Sequence, residues 1–323
     1  MSSQEDVFDR IRTAAAEVAH RAKFVHLVDA QIVPYAATLA AAGLPVLVYD
    51  TAHHASGSVA DTVAFQLTLD AVNFGSGYFP HLRKRPGMSG YFTVATSLKE
   101  RWERHGPLSG AELRAIHTSD CAVLFGQEGN TGPAQELMAL FAQALNDLGT
   151  WLGGRYDDDP LGPIEDAGQS AGRLVDLVSE MSFFRDVSIY DGAEVPLYKR
   201  AQILVTDLAI AFDGQGPGSL RDLDRLTVFA DNLVPHVLRV DGLLDYDTDL
   251  LARIERGELI PAGSPEEIEM RAVAVHAVER ISAELRASGV SATARELDYL
   301  LWNRGLGEKY KALPRHRTRT VFY

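Results

Sequence analysis

The sequence predicts a mainly α protein with a minor β element. Apolar residues keep helical spacing through most of the chain, hydroxyl-x-x-Glu signatures open the periodic runs, and glycines follow their ends. With 46% hydrophobic and 23% charged residues over 323 positions, the chain can bury a sizeable core, which excludes a disordered reading.

Taken in order, residues 45–50 are a short strand candidate. Residues 91–98 fit strand or helix, and their run into 99–104 before Gly106 favours helix. Ser109 with Glu112, Ser264 with Glu267 and Thr293 with Glu296 match the capping box. Pro133, Pro196 and Pro265 sit where first-turn prolines belong. Gly106, Gly153, Gly257, Gly289 and Gly305 read as C-terminal stops. Residues 187–190 and 315–323 are the remaining strand candidates. Leu197, Ala201, Leu204, Leu208 and Ala211 form one apolar stripe; Ile268, Ala272, Val275, Val278, Ile281 and Leu285 form another. The sum is roughly ten to twelve helices. The glycine- and aspartate-rich patch at 153–168 is the best internal boundary, and it is short enough to be only a loop.

Residues 221–241, RDLDRLTVFADNLVPHVLRVD, read as an amphipathic helix with a stripe of Leu223, Leu226, Ala230, Val234 and Val237. Asp231 borders that stripe and Pro235 follows four residues later. Proline has no N–H to offer the Asp231 carbonyl, so the helix is expected to kink there and present the acid to a cleft. The plainer alternative is a surface acid on a helix that ends early.

Charge and cysteine usage exclude several classes. A net charge of −13 argues against a duplex nucleic acid as ligand, since such binders carry a basic stripe. A small anion remains open. The single Cys121 excludes an internal disulfide and any cysteine-based zinc site. No secretory signal is read in MSSQEDVFDRIR, and the apolar region at 27–49 is too interrupted to span a bilayer. A cytoplasmic protein with no membrane partner is expected.

Gly168-Gln-Ser170-Ala-Gly172 has the nucleophile-elbow spacing but lacks a preceding strand, so Ser170 reads as a helix cap. Gly214-Gln-Gly216-Pro-Gly218 departs from dinucleotide-loop spacing and reads as an interhelical loop. His53 and His54 are adjacent and face different ways, which supports no metal site. In Asn73-Phe-Gly-Ser-Gly-Tyr-Phe-Pro80, aromatics bracket glycines; the segment is either a stacking site for a planar heterocycle or a packed aromatic turn. Lys199 and Arg200 open a helix, against its dipole, which suggests a bound anion; solvent exposure or pairing with acids is the alternative. In an extended tail Arg315, Arg317 and Arg319 share one face, either to clamp a phosphate or to pair with the acidic body.

Together NFGSGYFP (73–80), FFRD (183–186), PLYKRAQ (196–202), LTVFADNLVPHVLR (226–239), IPAGSPEEIEMRA (260–272), LDYLLWNRG (297–305) and PRHRTRTVFY (314–323) resemble the queuosine salvage proteins, or queuosine 5′-phosphate N-glycosylases. The resemblance runs from about residue 10 to the end, with the blocks in the family's order. It implies one glycosylase-like domain over residues 1–323, akin to helix-hairpin-helix DNA glycosylases. It implies hydrolysis of the N-glycosidic bond of queuosine 5′-monophosphate, releasing queuine for tRNA modification. It implies no redox cofactor, no required metal and no direct nucleic-acid partner. Carried over by motif, Asp231 is the catalytic carboxylate, Asn73, Phe74 and Asp298 are candidates for the base pocket, and Lys199 and His236 lie near the sugar phosphate. The Gly-Ser-Gly of NFGSGY departs from the bulkier segment of eukaryotic members, so the pocket's shape is not carried over.

The chemistry agrees with these residue types. Breaking a nucleoside C1′–N bond develops positive charge on the sugar, which a carboxylate stabilises more in the transition state than in the ground state. The same group can deprotonate the attacking water. Queuine, a 7-deazaguanine, lacks N7, so departure is helped by hydrogen bonds at N3, O6 or the exocyclic amine; Asp298 and Asn73 are the candidates. A non-catalytic helical protein for a nucleobase or nucleotide is the alternative, needing the aromatic and cationic sites but not Asp231. A DNA-base glycosylase is disfavoured by the charge.

Overall fold

The structure, a computed structural model, describes residues 6–323. Along them run α1 (Val7–Arg21), β1 (Val25–Leu27), α2 (Ile32–Ala42), α3 (Val59–Ala71), α4 (Gly90–His105), α5 (Gly110–Ala115) and α6 (Thr118–Leu124). Then come α7 (Pro133–Tyr156), α8 (Gly162–Ala167), α9 (Ala171–Val178), β2 (Val187–Tyr190), β3 (Ala193–Pro196) and α10 (Lys199–Ala211). The chain continues with α11 (Val234–Val240), β4 (Leu244–Tyr246), α12 (Thr248–Glu255), α13 (Pro265–Ala287), α14 (Ala294–Gly305) and α15 (Glu308–Lys311). The protein is therefore mainly helical, as its periodicity predicts. The described residues cluster into two units: one holds 6–47, 186–199 and 222–319, the other 48–185, 200–221 and 320–323.

The first unit is built around α13. Ser264 Oγ accepts the Glu267 N–H at 3.3 Å, Pro265 sits in the first turn, and the stripe from Ile268 to Leu285 is buried. Helices α1, α2, α11 and α14 pack against it. β1 pairs antiparallel with β4, Val25 opposite Tyr246, and β2 with β3 form a hairpin, Val187 opposite Pro196. Glu269 breaks the apolar pattern of α13 for a structural reason. Its Oε2 accepts the N–H groups of Lys23, Phe24 and Val25 at 3.0, 2.7 and 3.0 Å, and its Oε1 accepts the Tyr190 hydroxyl at 2.7 Å. A buried carboxylate thus fixes where β1 begins.

The second unit centres on α7, against which α3, α5, α6 and α8 pack. Phe74 and Phe125 meet Phe141 edge-on, at 5.1 and 5.2 Å between centroids. Gly75 has φ +102°, and a Cβ there would lie 2.6 Å from Leu137 Cδ1. Its N–H donates to the Tyr323 carbonyl at 3.0 Å, so the turn after Phe74 is closed by the last residues of the chain.

Several expectations hold. Ser109 and Thr293 form full capping boxes, residues 91–98 lie in α4, and residues 187–190 form a strand. Ser170 caps α9 by accepting the Arg173 N–H, and Gly106, Gly257 and Gly289 end their helices at positive φ. Pro133 and Pro265 open helices, but Pro196 does not: it ends β3 opposite Val187, and α10 starts three residues later. Gly153 lies inside α7, where its bare Cα face admits Arg114 and Asp158; the helix stops instead at Asp157, with φ +52°. Gly305 lies in the last turn of α14 and admits Leu233. Residues 45–50 form no strand, and 315–323 contribute only an isolated bridge from Arg317 to Leu259. Residues 153–168 run from the end of α7 through a turn into α8.

The largest correction concerns 221–241, which is not one kinked helix. Residues 226–230 take no regular secondary structure and are deeply buried, 231–233 bend, and α11 begins only at Val234. Pro235 is a first-turn proline, tolerated because its missing N–H has no intrahelical partner there. The apolar spacing was real, but it belongs to a chain threading a core rather than to one helical face. Among the described residues no helix is long and apolar enough to cross a membrane.

Gly75→Ala combines a left-handed backbone with a clash against Leu137. It is expected to cost about 2–3 kcal/mol of stability, read as a lowered urea midpoint with an unchanged slope. Trimming Leu137 to Ala in the same chain cannot recover the backbone share.

Candidate active site

Asp231 sits at the junction between the buried irregular segment and α11, partly exposed. Its Oδ1 accepts the N–H of Leu233 at 2.6 Å and of Val234 at 3.0 Å. These are the orphan donors of a helix start, and they fix the carboxylate's orientation. Oδ2 makes no hydrogen bond among the described residues. The acid is therefore held by one oxygen and offers the other.

Arg271, on α13, is the anchor beneath it and is 1% exposed. Its Nε donates to the carbonyl of Ala230 at 2.8 Å, immediately before Asp231. Its Nη1 and Nη2 donate to Asp186 Oδ1 and Oδ2 at 3.0 and 2.6 Å, a bidentate pair. Asp186 Oδ2 in turn accepts the N–H of Lys199 at 3.1 Å, and the Asp186 carbonyl accepts the N–H of Leu197 and of Tyr198. Tyr198 is held at φ +47°, a strained conformation for a bulky residue that this double grip sustains. One guanidinium thus sets both the peptide before Asp231 and the backbone that delivers Lys199. Neither Arg271 nor Asp186 was singled out from the sequence. The available signal was a charged residue between Ile268 and Ala272 on the apolar face of α13.

Asp298, on α14, approaches the same place. It is 7% exposed, and its Oδ1 accepts the Phe229 N–H at 2.8 Å. Burial, then the neighbouring charge of Asp231, raises its pKa well above the ordinary carboxyl value, against the smaller opposing effects of the Phe229 N–H and Lys199. That shift favours the protonated form of Asp298, the form that can donate a hydrogen bond. Two carboxyl groups in one neighbourhood have divergent surroundings, the pattern that separates acid from base. Arg315 also lies within electrostatic reach of Asp231. Asn232 Nδ2 donates to the carbonyl of His316, whose own ring burial holds at a pKa of about 3. His316, Thr318 and Thr320 are buried while Arg315, Arg317 and Arg319 between them are not, so the three arginines do share one side of the tail. Arg317 is committed to the Gly257 carbonyl.

The first unit therefore brings together Asp231, Asp298 and Lys199. His236 lies near by on α11, but both its nitrogens are engaged: Nε2 with the Tyr310 carbonyl at 2.8 Å and Nδ1 with Arg239 at 3.2 Å. Burial lowers its pKa to about 4, so at neutral pH it carries no charge to offer a phosphate.

Asn73 and Phe74 belong to the second unit. Asn73 is partly exposed and donates Nδ2 to Asp70 Oδ1 at 3.1 Å. Phe74 is buried, with the Arg200 guanidinium over its ring at 4.8 Å. That guanidinium also covers Phe184 at 4.7 Å and donates to the carbonyls of Asp70, Ala71 and Phe183. Asp70 and Ala71 end α3, so a cation opposed to the dipole of its own helix satisfies the C-terminus of another. Among the described residues no group of three or more histidine, cysteine, aspartate or glutamate side chains could hold a metal ion.

Comparison with known proteins adds a family. A family model described as queuosine salvage protein matches residues 52–323. The chain is 42% identical over 262 residues to a queuosine 5′-phosphate N-glycosylase/hydrolase of Sphaerobacter thermophilus, covering 80% of each chain. It is 32% identical over 246 residues to the protein of that name from Bos taurus, covering 73% of this chain and 72% of the relative. A third such protein, from Dictyostelium discoideum, is 39% identical over 180 residues, covering 55% of this chain and 56% of the relative.

Two outcomes follow from the geometry. Arg271→Leu removes the guanidinium from the buried Asp186 carboxylate, which keeps the Lys199 N–H, and from the Ala230 carbonyl, and is expected to cost about 3–5 kcal/mol. Adding Asp186→Leu should recover part of that loss, giving a non-additive double-mutant cycle. Asp298→Asn tests the neutral acid. At low pH the carboxyl is protonated in folded and unfolded chains alike. As pH rises past about 4 the unfolded chain ionises and the folded one does not, so wild type loses stability up to the raised folded pKa. The variant lacks that loss, and its thermal-midpoint advantage should grow from pH 4 to 7.

Proposed function

The chain belongs to the queuosine salvage protein family, and on that premise we propose that Asp231 is the carboxylate with which it cleaves its substrate. The protein is an N-glycosyl hydrolase that releases queuine from queuosine 5′-monophosphate for salvage. The observation that carries the role of Asp231 is its divided carboxylate: Oδ1 is held by two backbone N–H groups and Oδ2 is open, near a carboxyl group whose pKa burial raises. The glycosidic bond breaks with its electron pair leaving on the base nitrogen, while positive charge spreads over C1′ and the ring oxygen. Asp231 stabilises that charge and takes a proton from the attacking water, whose oxygen becomes the C1′ hydroxyl. The products are ribose 5-phosphate and, once its nitrogen is protonated, queuine.

Asp298 supplies a hydrogen-bond donor within reach of the Asp231 charge, and we assign it to the departing base, where the absence of N7 leaves N3 and O6 to be assisted. Lys199, delivered by the Asp186 carboxylate, is the cation assigned to the phosphate. A mononucleotide asks for only local positive charge, which a chain of net charge −13 can supply without a basic surface. In the second unit, Asn73 is partly exposed and its Oδ1 makes no hydrogen bond among the described residues, whereas Phe74 and Arg200 serve the core. His236 supports α11 from within. Kinship with the fold of helix-hairpin-helix DNA glycosylases is part of the same proposal.

The test follows free queuine by chromatography. Asp231→Asn is expected to lower kcat by at least about 100-fold, the scale of losing one preorganised electrostatic group. Asp298→Asn keeps a donor and should retain more turnover than Asp298→Ala. Full activity in Asp231→Asn would end the assignment. Release from intact tRNA as fast as from the monophosphate would end the mononucleotide reading.

A further inference from the structure

One cation of the first unit stays outside the bonding of the site. The Arg315 side chain is exposed, makes no hydrogen bond and joins no ion pair among the described residues, in a chain that carries 44 acidic side chains. Its backbone, in contrast, is tied down on both sides. The Pro314 carbonyl accepts Arg239 Nη2 at 3.1 Å, and the His316 carbonyl accepts Asn232 Nδ2 at 3.3 Å. The Arg317 carbonyl then accepts the Ile260 N–H at 2.9 Å, and His316 and Thr318 are buried. Asn232 adjoins Asp231, so the peptide after Arg315 is fastened beside the acid. A surface arginine on a loose loop needs no partner beyond water; this one reaches out from a fixed place.

The other charges of that neighbourhood are spent or absent. Arg271 is committed to Asp186 and the Ala230 carbonyl, Arg239 to His236 and the Pro314 carbonyl, and Arg317 to the Gly257 carbonyl. Burial holds His236 and His316 at pKa values of about 4 and about 3, so neither ring is charged at neutral pH. Burial lowers the pKa of Arg315 and the charge of Asp231 acts the other way, so the two feel each other without forming an ion pair. That separation suits a nucleotide. Its ribose ring stands between C1′ and the 5′-phosphate, and a group that meets the phosphate neighbours the carboxylate facing C1′ without touching it. Charge balance asks for such a group. A phosphate monoester carries between one and two negative charges near neutral pH, Asp231 adds its own, and Lys199 supplies only one positive charge.

We propose that Arg315 is a second phosphate-binding residue, completing with Lys199 a subsite for the 5′-phosphate of the substrate. The proposal rests on the reading of the chain as a queuosine 5′-phosphate hydrolase and names a specificity-determining residue of that same site. A guanidinium fork can hold two phosphate oxygens at once and so fixes the angle of the group, which a lysine, as a point charge, does not. A nucleoside has nothing to place there, so the subsite separates monophosphate from nucleoside.

The experiment is calorimetric titration with ribose 5-phosphate, ribose and queuine. Wild type should bind ribose 5-phosphate at least about tenfold tighter than ribose, the scale of one charge-assisted hydrogen bond. Arg315→Gln, which breaks no bond within the fold, should weaken ribose 5-phosphate at least about tenfold and leave queuine within about threefold. Retained queuine binding reports that the site is folded. Arg315→Lys keeps the charge but not the fork and should fall between wild type and Arg315→Gln. Equal wild-type affinity for ribose 5-phosphate and ribose overturns the subsite. So does a loss below about threefold in Arg315→Gln, or an equal loss for queuine. Should Arg315→Gln not fold, an Arg315→Lys chain that binds ribose 5-phosphate as tightly as wild type overturns it. Release of queuine from the monophosphate is measured in parallel. Release with an undiminished phosphate preference in Arg315→Gln sinks the subsite alone. A phosphate preference that depends on Arg315, without release in wild type, sinks the hydrolase reading alone.

Discussion

A single buried guanidinium organises the first unit. Arg271 sits inside α13, where its charge would be prohibitive without partners, and it is given a carbonyl and both oxygens of a carboxylate. Those partners belong to segments far apart in sequence, one preceding Asp231 and one governing the start of α10. Because the guanidinium is planar and its donors fixed in a fork, the two segments are set in angle as well as distance. A lysine could balance the charge but could not impose that geometry. Buried ion pairs are poor evidence of stability, since desolvation offsets much of the attraction. The value of this one lies in position: it holds an irregular segment in a single arrangement where no helix or ladder does so.

The same economy governs the two acids. Asp231 and Asp298 are chemically alike, yet their environments separate them. Asp231 is partly exposed and receives two helix-start N–H groups on one oxygen; Asp298 is buried, receives a single N–H, and feels the charge of the first. Ionising both would bring like charges together in a region of low polarity, which raises the pKa of the buried one. The division of roles we propose thus needs no third residue. It follows from which acid the fold leaves open to water.

Much of this was legible in sequence, and what was not has identifiable causes. Caps at Ser109, Ser170 and Thr293 are local, depend on residues three apart, and were read correctly. The seven blocks gave the family, which the 42% identity over most of the chain bears out. Residues 221–241 misled because a buried irregular segment and a helix can share apolar spacing over so short a run. Pro235 was ambiguous in the same way, as a kink or as a start, and tertiary burial of 226–230 decided it. Lys199 and Arg200 were rightly flagged as opposing their helix dipole. What could not be foreseen was that the compensation for Arg200 would come from the carbonyls ending α3, a hundred and more residues earlier. Gly153 failed as a stop because a glycine's reason can be close packing as well as left-handed φ, and sequence does not distinguish them.

The consequence reaches beyond one misplaced helix. An acid on a kinked helix would have owed its orientation to a defect in its own hydrogen-bonding ladder, and its position would vary with every change in helix packing. Placed instead two residues before Leu233, the N-cap of α11, Asp231 draws its orientation from donors that a helix start leaves unsatisfied. Its backbone is fixed independently by Arg271 through the preceding carbonyl. Two constraints of different origin therefore meet at one residue, and neither uses Oδ2, the oxygen we propose for the chemistry. A carboxylate proposed to meet a developing cation needs its fixed hydrogen bonds and its reactive oxygen to be separate, and at Asp231 both fixed bonds fall on Oδ1.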